Sequence, residues 1–523
     1  MDIRLADPAD ERREYDAIVV GSGFGAAFAA LPLVHAGARV LMLERGPWVQ
    51  RGPWNWEAQG SFDLSPYKAR EIPYRVLQGG VSPLMEQCSC VGGASVFYGG
   101  VSFRFRASDL KARPELARTG AAWPIRYEEL EPHYSRAEEI LGVGGLAGAD
   151  PAEPARSRPF PHAPAPLSQT SQLVAGAARS LGLTPFPLPL AINHLNGIRV
   201  PCRACTTCDT FACAVSAKND VATAVLPELI RRGLEIRPRT LVTGLKERGG
   251  RIAEVEAIDT AAGKRLSFRT GQVLLGAGAL SSPHLILASG LAGRSPAAHA
   301  IGGYLTRHCV SIVYGLFKNL PDEGQVFHKQ VGFHDASDGA LRGGDAEGTL
   351  GSIQQVQSPP EGLVRARIPV NLNGWVPRLV KRATGLLALA EDDPRADNRV
   401  SIDRSRIDGF GLPQLVVSYR ESKRDERARD ILARRARAVL REAGAFLFYR
   451  HQVKTFSHAA GTVRFGDDAR SAPLDRWCRF RGLPNLYVVD ASVMPTSGTV
   501  NPSLTIAANA LRVGTRLAEG KAA

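Results

Sequence analysis

Two stretches at opposite ends of this 523-residue chain carry residue types that can do chemistry together. Near the C-terminus, His458 lies in the run SHAAGT and Asn501 opens NPSLTIAANA. A neutral imidazole titrates near working pH and can take the proton of a hydroxyl group, a role worth roughly 10²–10⁴-fold in rate. A carboxamide can donate to the oxygen on which negative charge then develops. At the other end stands a glycine-rich loop, Gly21-Ser22-Gly23-Phe24-Gly25-Ala26. The pairing suggests an enzyme that holds a dinucleotide with one end of the chain and moves a proton beside it with the other.

The elements that must position the loop are legible around it. The apolar run Ala17-Ile18-Val19-Val20 enters the glycines as a strand, Ala26 to His35 reads as a helix, and Arg39 to Leu43 returns as a second strand ending at Glu44. In this βαβ order Gly21 permits the tight turn and Gly23 lets backbone N–H groups approach a pyrophosphate. The small Gly25-Ala26 pair lets the helix sit close to the strand, and Glu44 lies where a carboxylate accepts the hydroxyls of a ribose. The dinucleotide expected is FAD or NAD.

A second signal comes from the cysteines. Four of the eight fall at Cys202, Cys205, Cys208 and Cys213. Three thiolates at this spacing can wrap an iron–sulfur cluster, although the last gap is longer than in ferredoxin loops and no proline follows Cys213. Zinc sites more often use two separated pairs, and disulfides or free thiols also fit. Cys88 and Cys90 can add a ligand, a disulfide partner or nothing, whereas Cys309 and Cys478 read as buried structural thiols.

With 44% hydrophobic and 22% charged residues, the chain has ample material for a large core and two or three domains. Its formal charge of +14 raises nucleic acid and anionic membranes as partners, but the arginines are scattered and no recognition motif appears. The densest run, Lys423 to Arg441, has Ala428, Ile431, Leu432, Ala436, Val439 and Leu440 at helical spacing and so reads as a helix with a solvated basic face. The first twenty residues lack the apolar stretch of a signal peptide and no run approaches a membrane span. A cytoplasmic location is the default expectation, and export with a signal-bearing partner is compatible with the same sequence. The proline-dense stretch from Ala149 to Ser168 is expected to be a wrapping loop. Leu234 to Leu275 reads as several strands, and Val313 to Tyr419 as a mostly antiparallel region with a helix over Leu379 to Ala390. His308 and His451 are read as structural or pocket-edge residues. Gln325 to His334 and Trp375 to Leu389 are expected to line a substrate pocket.

Four segments carry a family resemblance: the glycine loop; Val91 to Gly100, VGGASVFYGG; Gly278 to Gly290, GALSSPHLILASG; and the C-terminal SHAAGT, NLYVVDASVMP and NPSLTIAANA blocks. Together they resemble the glucose-methanol-choline oxidoreductases, from about Tyr15 to Leu517. The resemblance implies an α/β fold: a Rossmann-like FAD-binding domain assembled from discontinuous segments, with an inserted α+β substrate domain on a mostly antiparallel sheet. The limits expected are 1–125, 215–310 and 450–523 for the FAD domain, 126–214 for a linker or lid carrying the cysteines, and 311–449 for the substrate domain.

The resemblance also implies site roles. FAD contacts fall on Gly92, Gly93 and Ser95, whose small, donor-rich backbone suits a diphosphate or flavin edge, and on Asp490, Val242 and Pro502. His458 and Asn501 match the family's catalytic pair. No histidine replaces Ser95-Val96-Phe97-Tyr98, so the flavin is expected to be noncovalent. Sugar dehydrogenase catalytic subunits of the family carry an iron–sulfur cluster near an Ala-Lys step, here Ala217-Lys218, which implies Cys202, Cys205, Cys208 and Cys213 as ligands. Electrons would then pass to a quinone or cytochrome, and the substrate would be a sugar or cyclic polyol. The alternatives are an oxygen-using oxidase of a sterol, terpene or aromatic alcohol, and a non-oxidising lyase or decarboxylase.

Overall fold

A computed structural model describes residues 14–52, 54, 74–77, 84–85, 87–111, 119–197, 199–205, 208–322, 327–335, 350–359, 364–365, 374 and 376–520. The strand Glu14–Val20, the helix Phe24–His35 and the strand Val40–Leu43 form the predicted βαβ unit. The first strand pairs in parallel with Val40–Leu43 on one side and with the second half of Arg265–Leu275 on the other. Glu235–Arg237 extends the sheet beyond Val40–Leu43, and Leu486–Val488 adds to Arg265–Leu275, again in parallel. The strands Thr240–Arg248 and Arg251–Asp259 complete this seven-stranded sheet as an antiparallel meander. Ile18, Val19, Leu41, Met42 and Val273 to Leu275 are fully buried, the pattern of strands covered on both faces.

The C-terminal helix Ser503–Ala518 packs directly on Phe24–His35. Gly514 makes that approach possible: a Cβ there would lie 2.3 Å from the Ala29 carbonyl oxygen. The first and last helices are therefore one packed pair, and the segment carrying Asn501 is delivered beside the glycine loop.

A second, six-stranded antiparallel sheet runs in the order Leu447–Val453, Cys309–Leu316, Ala383–Ala390, Gly351–Val356, Val331–Phe333, Phe186–Pro187. One face packs under the helices Gln169–Ser180 and Lys423–Glu442, where Val313, Ile353, Leu386 and Ala388 meet Ala428, Leu432 and Val439. The basic run is thus helical with Arg427, Arg434, Arg437 and Arg441 outward, and Ser422 and Asp425 cap it reciprocally. Because side chains alternate along strands, the opposite face carries Ile312, Tyr314, Leu387 and Gln354.

Leu379 to Ala390 is not a helix. Only Val376–Val380 is helical, and Ala383–Ala390 is a central strand paired on both sides. Leucine and alanine favour a helix locally, but hydrogen bonding to two neighbours outweighs propensities of a few tenths of a kcal/mol per residue. A further four-stranded sheet joins Arg399–Ile407 and Pro413–Ser418 to Tyr74–Leu77 and Leu84–Met85, so part of the 313–419 stretch pairs with the N-terminal third of the chain. The proline-dense loop contains neither helix nor strand. Arg156, which follows its first prolines, and Arg104 both grip the buried Glu138, at 2.5 and 2.8 Å, and tie the loop to the helix Tyr127–Leu141. Among the described residues no helix is long and apolar enough to cross a membrane.

Candidate active site

The glycines divide by what a side chain would meet. Gly21 has φ +90°, and a Cβ would sit 2.5 Å from the Gly276 carbonyl oxygen; at Gly25 it would sit 2.1 Å from that of Val489. Both are required by close backbone approach. A Cβ on Gly23 meets nothing within 4 Å, so the space beside it is open, at the N-terminus of the first helix. Gly93 abuts that position, its notional Cβ 3.2 Å from the Gly23 Cα. Ala26 is fully buried under the turn at Gly276. The Gly92 N–H donates to Ser22 Oγ at 2.9 Å, and the Ser22 hydroxyl donates to Glu44 Oε2 at 2.7 Å. Glu44 Oε1 takes the Gly46 N–H at 3.0 Å. Burial pushes the Glu44 carboxyl above its ordinary pKa despite these bonds.

Ser95 is occupied within the protein: its hydroxyl donates to the Gly92 carbonyl at 2.6 Å and accepts the Val221 N–H at 3.1 Å. Asp490 has four internal donors, the Gly278 and Ser492 amides and the Ser282 and Ser492 hydroxyls, and burial raises its pKa. It knits the Gly278 block to the C-terminal block. Val242 is buried two residues beyond Thr240, whose N–H donates to the Glu44 carbonyl, and Pro502 is buried at the start of the last helix. These residues surround a crevice outside the carboxyl ends of the parallel strands, the place where open α/β sheets bind dinucleotides. The open space at Gly23, the helix N-terminus and the buried Glu44 fit FAD.

The two residues expected to handle the proton are each held by a side-chain partner, His458 by His308 and Asn501 by Gln354. His458 is half-buried, and its Nδ1 lies 3.1 Å from Nδ1 of His308. Nε2 of His308 contacts the Gly498 carbonyl at 2.9 Å, three residues before Asn501. Burial, reinforced by His308 and Lys329, pushes the His458 pKa down to about 3. A lowered pKa keeps the imidazole neutral as pH falls, so kcat/KM should stay flat from pH 8 to 5, and an acid limb near 6.5 in a pH–rate profile would contradict this. Asn501 Oδ1 accepts from Gln354 Nε2 at 2.6 Å, and Gln354 Nε2 also reaches Ser352 Oγ at 3.1 Å. With its oxygen held, Asn501 has an NH₂ group that takes no partner among the described residues. Gln354→Leu is therefore expected to lower kcat about tenfold with FAD content unchanged, the worth of one positioned hydrogen bond.

The cysteine loop does not assemble as expected for a cluster. Among the described residues, which include all four cysteines, no three His, Cys, Asp or Glu side chains are gathered to hold a metal. No disulfide joins the cysteines, and burial raises the Cys202 thiol to about 11 and the Cys208 thiol to about 12. The loop's own hydrogen bonds explain its course. Lys218 Nζ donates to the Cys208 and Phe211 carbonyls at 2.9 and 2.7 Å, Gln357 holds the Cys205 carbonyl at 2.9 Å, and Asp209 is ion-paired to the buried Lys329. An iron–sulfur cluster on Cys202, Cys205, Cys208 and Cys213 is not supported. Cys88 and Cys90, with sulfurs 3.8 Å apart, pack beside Phe211 and Ala212; Cys309 and Cys478 are buried.

Several positions gain a role the sequence did not reveal. His308 is no bystander but touches His458. Gln354 had a signal, a pair of glutamines in the strand Gly351–Val356. His451 is exposed on the edge strand Leu447–Val453. Lys329 lies in the expected pocket loop, while Gln325 and Trp375 lie outside the described residues.

The family model of the GMC oxidoreductases matches residues 15–310 with its N-terminal part and 394–510 with its C-terminal part. This chain belongs to that family, FAD-dependent enzymes that act on CH–OH groups. It is 31% identical to paromamine 6'-oxidase of Streptomyces fradiae, over 97% of this chain and 92% of that one. It is 27% identical to 2-methyl-1,2-propanediol dehydrogenase of Mycolicibacterium austroafricanum, over 95% and 94%. In fold it is similar to the crystal structure of pyridoxine 4-oxidase from Mesorbium loti, with a TM-score of 0.67 at 21% identity, covering 96% of this chain and 99% of that one.

Proposed function

We propose that this protein oxidises an alcohol group of a hydroxyl-rich substrate, a sugar or cyclic polyol, to the carbonyl, with dioxygen as electron acceptor. The observation that supports the reading is that His458 and Asn501 are each held by one side-chain partner, His308 at 3.1 Å and Gln354 at 2.6 Å. His458 removes the hydroxyl proton, and the Asn501 amide donates to the oxygen as negative charge develops on it. When bound, FAD would supply the redox chemistry, accepting two electrons from the alcohol that are passed on to dioxygen to give hydrogen peroxide. Gly21, Gly23, Gly25, Gly92, Gly93 and Glu44 would hold the dinucleotide, with Val242 towards its adenine.

The second sheet's crevice face supports a polar substrate, since it offers Tyr314, Ser352 and Gln354, with the Asp209–Lys329 pair alongside. The 31%-identical relative is named for oxidation of paromamine. Its name as an oxidase favours dioxygen over a cluster-linked chain to a quinone or cytochrome. The test is anaerobic titration with a panel of sugars, polyols, aromatic alcohols and sterols, then admission of air. Sugar or polyol should bleach the flavin and yield one peroxide per carbonyl, with less than about 0.1 iron per chain by acid-labile sulfide and iron assay. Bleaching without peroxide would move the assignment to a dehydrogenase. No bleaching by any alcohol would move it to a non-oxidising flavoenzyme.

A further inference from the structure

We infer that His308 is a positioning residue that fixes the tautomer of His458, so that the base presents a bare Nε2 to its substrate. This rests on the reading of His458 as the base given above. A carbonyl oxygen only accepts, so the His308 Nε2 at 2.9 Å from Gly498 O carries a proton. His308 is almost wholly buried, and burial pushes its pKa down, so its ring is neutral and its Nδ1 carries a lone pair. The two Nδ1 atoms, 3.1 Å apart, share one proton, and only His458 can supply it. His458 is then the Nδ1–H tautomer. Its Nε2 has no proton and is free to accept one.

The fold holds both ends of this lock with one carboxylate. Asp392 Oδ1 accepts the His308 backbone N–H at 3.1 Å and the Ser497 hydroxyl at 2.8 Å. Its Oδ2 accepts the Arg307 N–H at 2.8 Å and the Tyr419 hydroxyl at 2.7 Å. Asp392 therefore ties the backbone of His308 to the residue preceding Gly498. Gly498 itself has φ +70°, and a Cβ there would lie 2.4 Å from the Phe105 ring, so its carbonyl direction is fixed by a conformation that suits glycine. His308 stands at φ +63°, uncommon for a residue with a side chain. The surroundings thus hold the ring where a relaxed backbone would not.

The test reads the tautomer directly in the FAD-loaded enzyme. Nitrogen-15 spectra of histidine-labelled protein, with His458 assigned by its loss in His458→Ala, should show a protonated Nδ1 and a bare Nε2; the reverse pattern overturns the inference. Kinetics provide the second arm. His308→Gly suits the positive φ and removes the acceptor, and should lower kcat about 10–100-fold with KM changed less than about threefold and FAD content unchanged. His308→Asn tolerates the same φ and returns an oxygen near the place of Nδ1, and should restore kcat to within about threefold of wild type. Equal loss in both variants, or full activity of His308→Gly, overturns the lock. Full activity of His458→Ala instead refutes the assignment of the base, a separate outcome.

Discussion

Replacing His458 with alanine lowers the rate of flavin reduction by alcohol by about 10²–10⁴-fold, or about 3–5 kcal/mol of barrier, while FAD binding persists. The glycine loop, Glu44 and the Gly92 block that cradle the dinucleotide make no hydrogen bond with His458, so cofactor content and flavin absorbance should match wild type. The loss should fall on kcat, because the alanine variant still offers the Asn501 donor and the polar sheet face to bind substrate. Stopped-flow reduction under anaerobic conditions isolates this step from reoxidation. A rate within threefold of wild type would remove His458 from the chemistry and leave the crevice without a base.

The second large effect is structural. Gly25→Ala should yield protein without FAD and with a lowered melting temperature, since its Cβ would press to 2.1 Å from Val489 O and 2.9 Å from the Asp490 Cα. Those are backbone atoms at the joint between the first helix and the C-terminal block, which cannot rotate away as a side chain would. Overpacking of this kind costs about 1–3 kcal/mol or more. Gly23→Ala is the contrast: its Cβ meets nothing in the protein, so the melting temperature of the apoprotein should be unchanged while FAD affinity drops at least about tenfold through crowding of the pyrophosphate. Thermal melting of apoprotein and the flavin-to-protein absorbance ratio separate the two. Retention of FAD by Gly25→Ala with an unchanged melting temperature would show that the joint can spread.

What could be read from the sequence follows how far apart the deciding residues lie. The βαβ unit was legible because strand, glycines, helix and Glu44 sit within thirty consecutive residues and each has a local reason to be there. The strand Ala383–Ala390 was not, because its own leucines and alanines suit a helix and only Cys309–Leu316 and Gly351–Val356 make it a strand. The cysteine spacing was visible, but where four sulfurs point depends on Lys218, Gln357 and Lys329, which steer the backbone between them. The pairing of His308 with His458 was not legible for the same reason. Nothing near it in the chain announces His458, and the contact spans 150 residues.

The packing of the first helix against the last has a consequence for how the protein is made. The face of Phe24–His35 that receives Gly514, and the Gly25 joint that receives Val489, are synthesised more than 450 residues before their partners. At ordinary ribosomal speeds the gap is on the order of half a minute to a minute and a half. Throughout that interval an alanine-rich, fully apolar helix face has no cover. The nascent chain is then a natural client for chaperones, and its yield should depend on temperature and translation rate more than the stability of the finished enzyme would suggest.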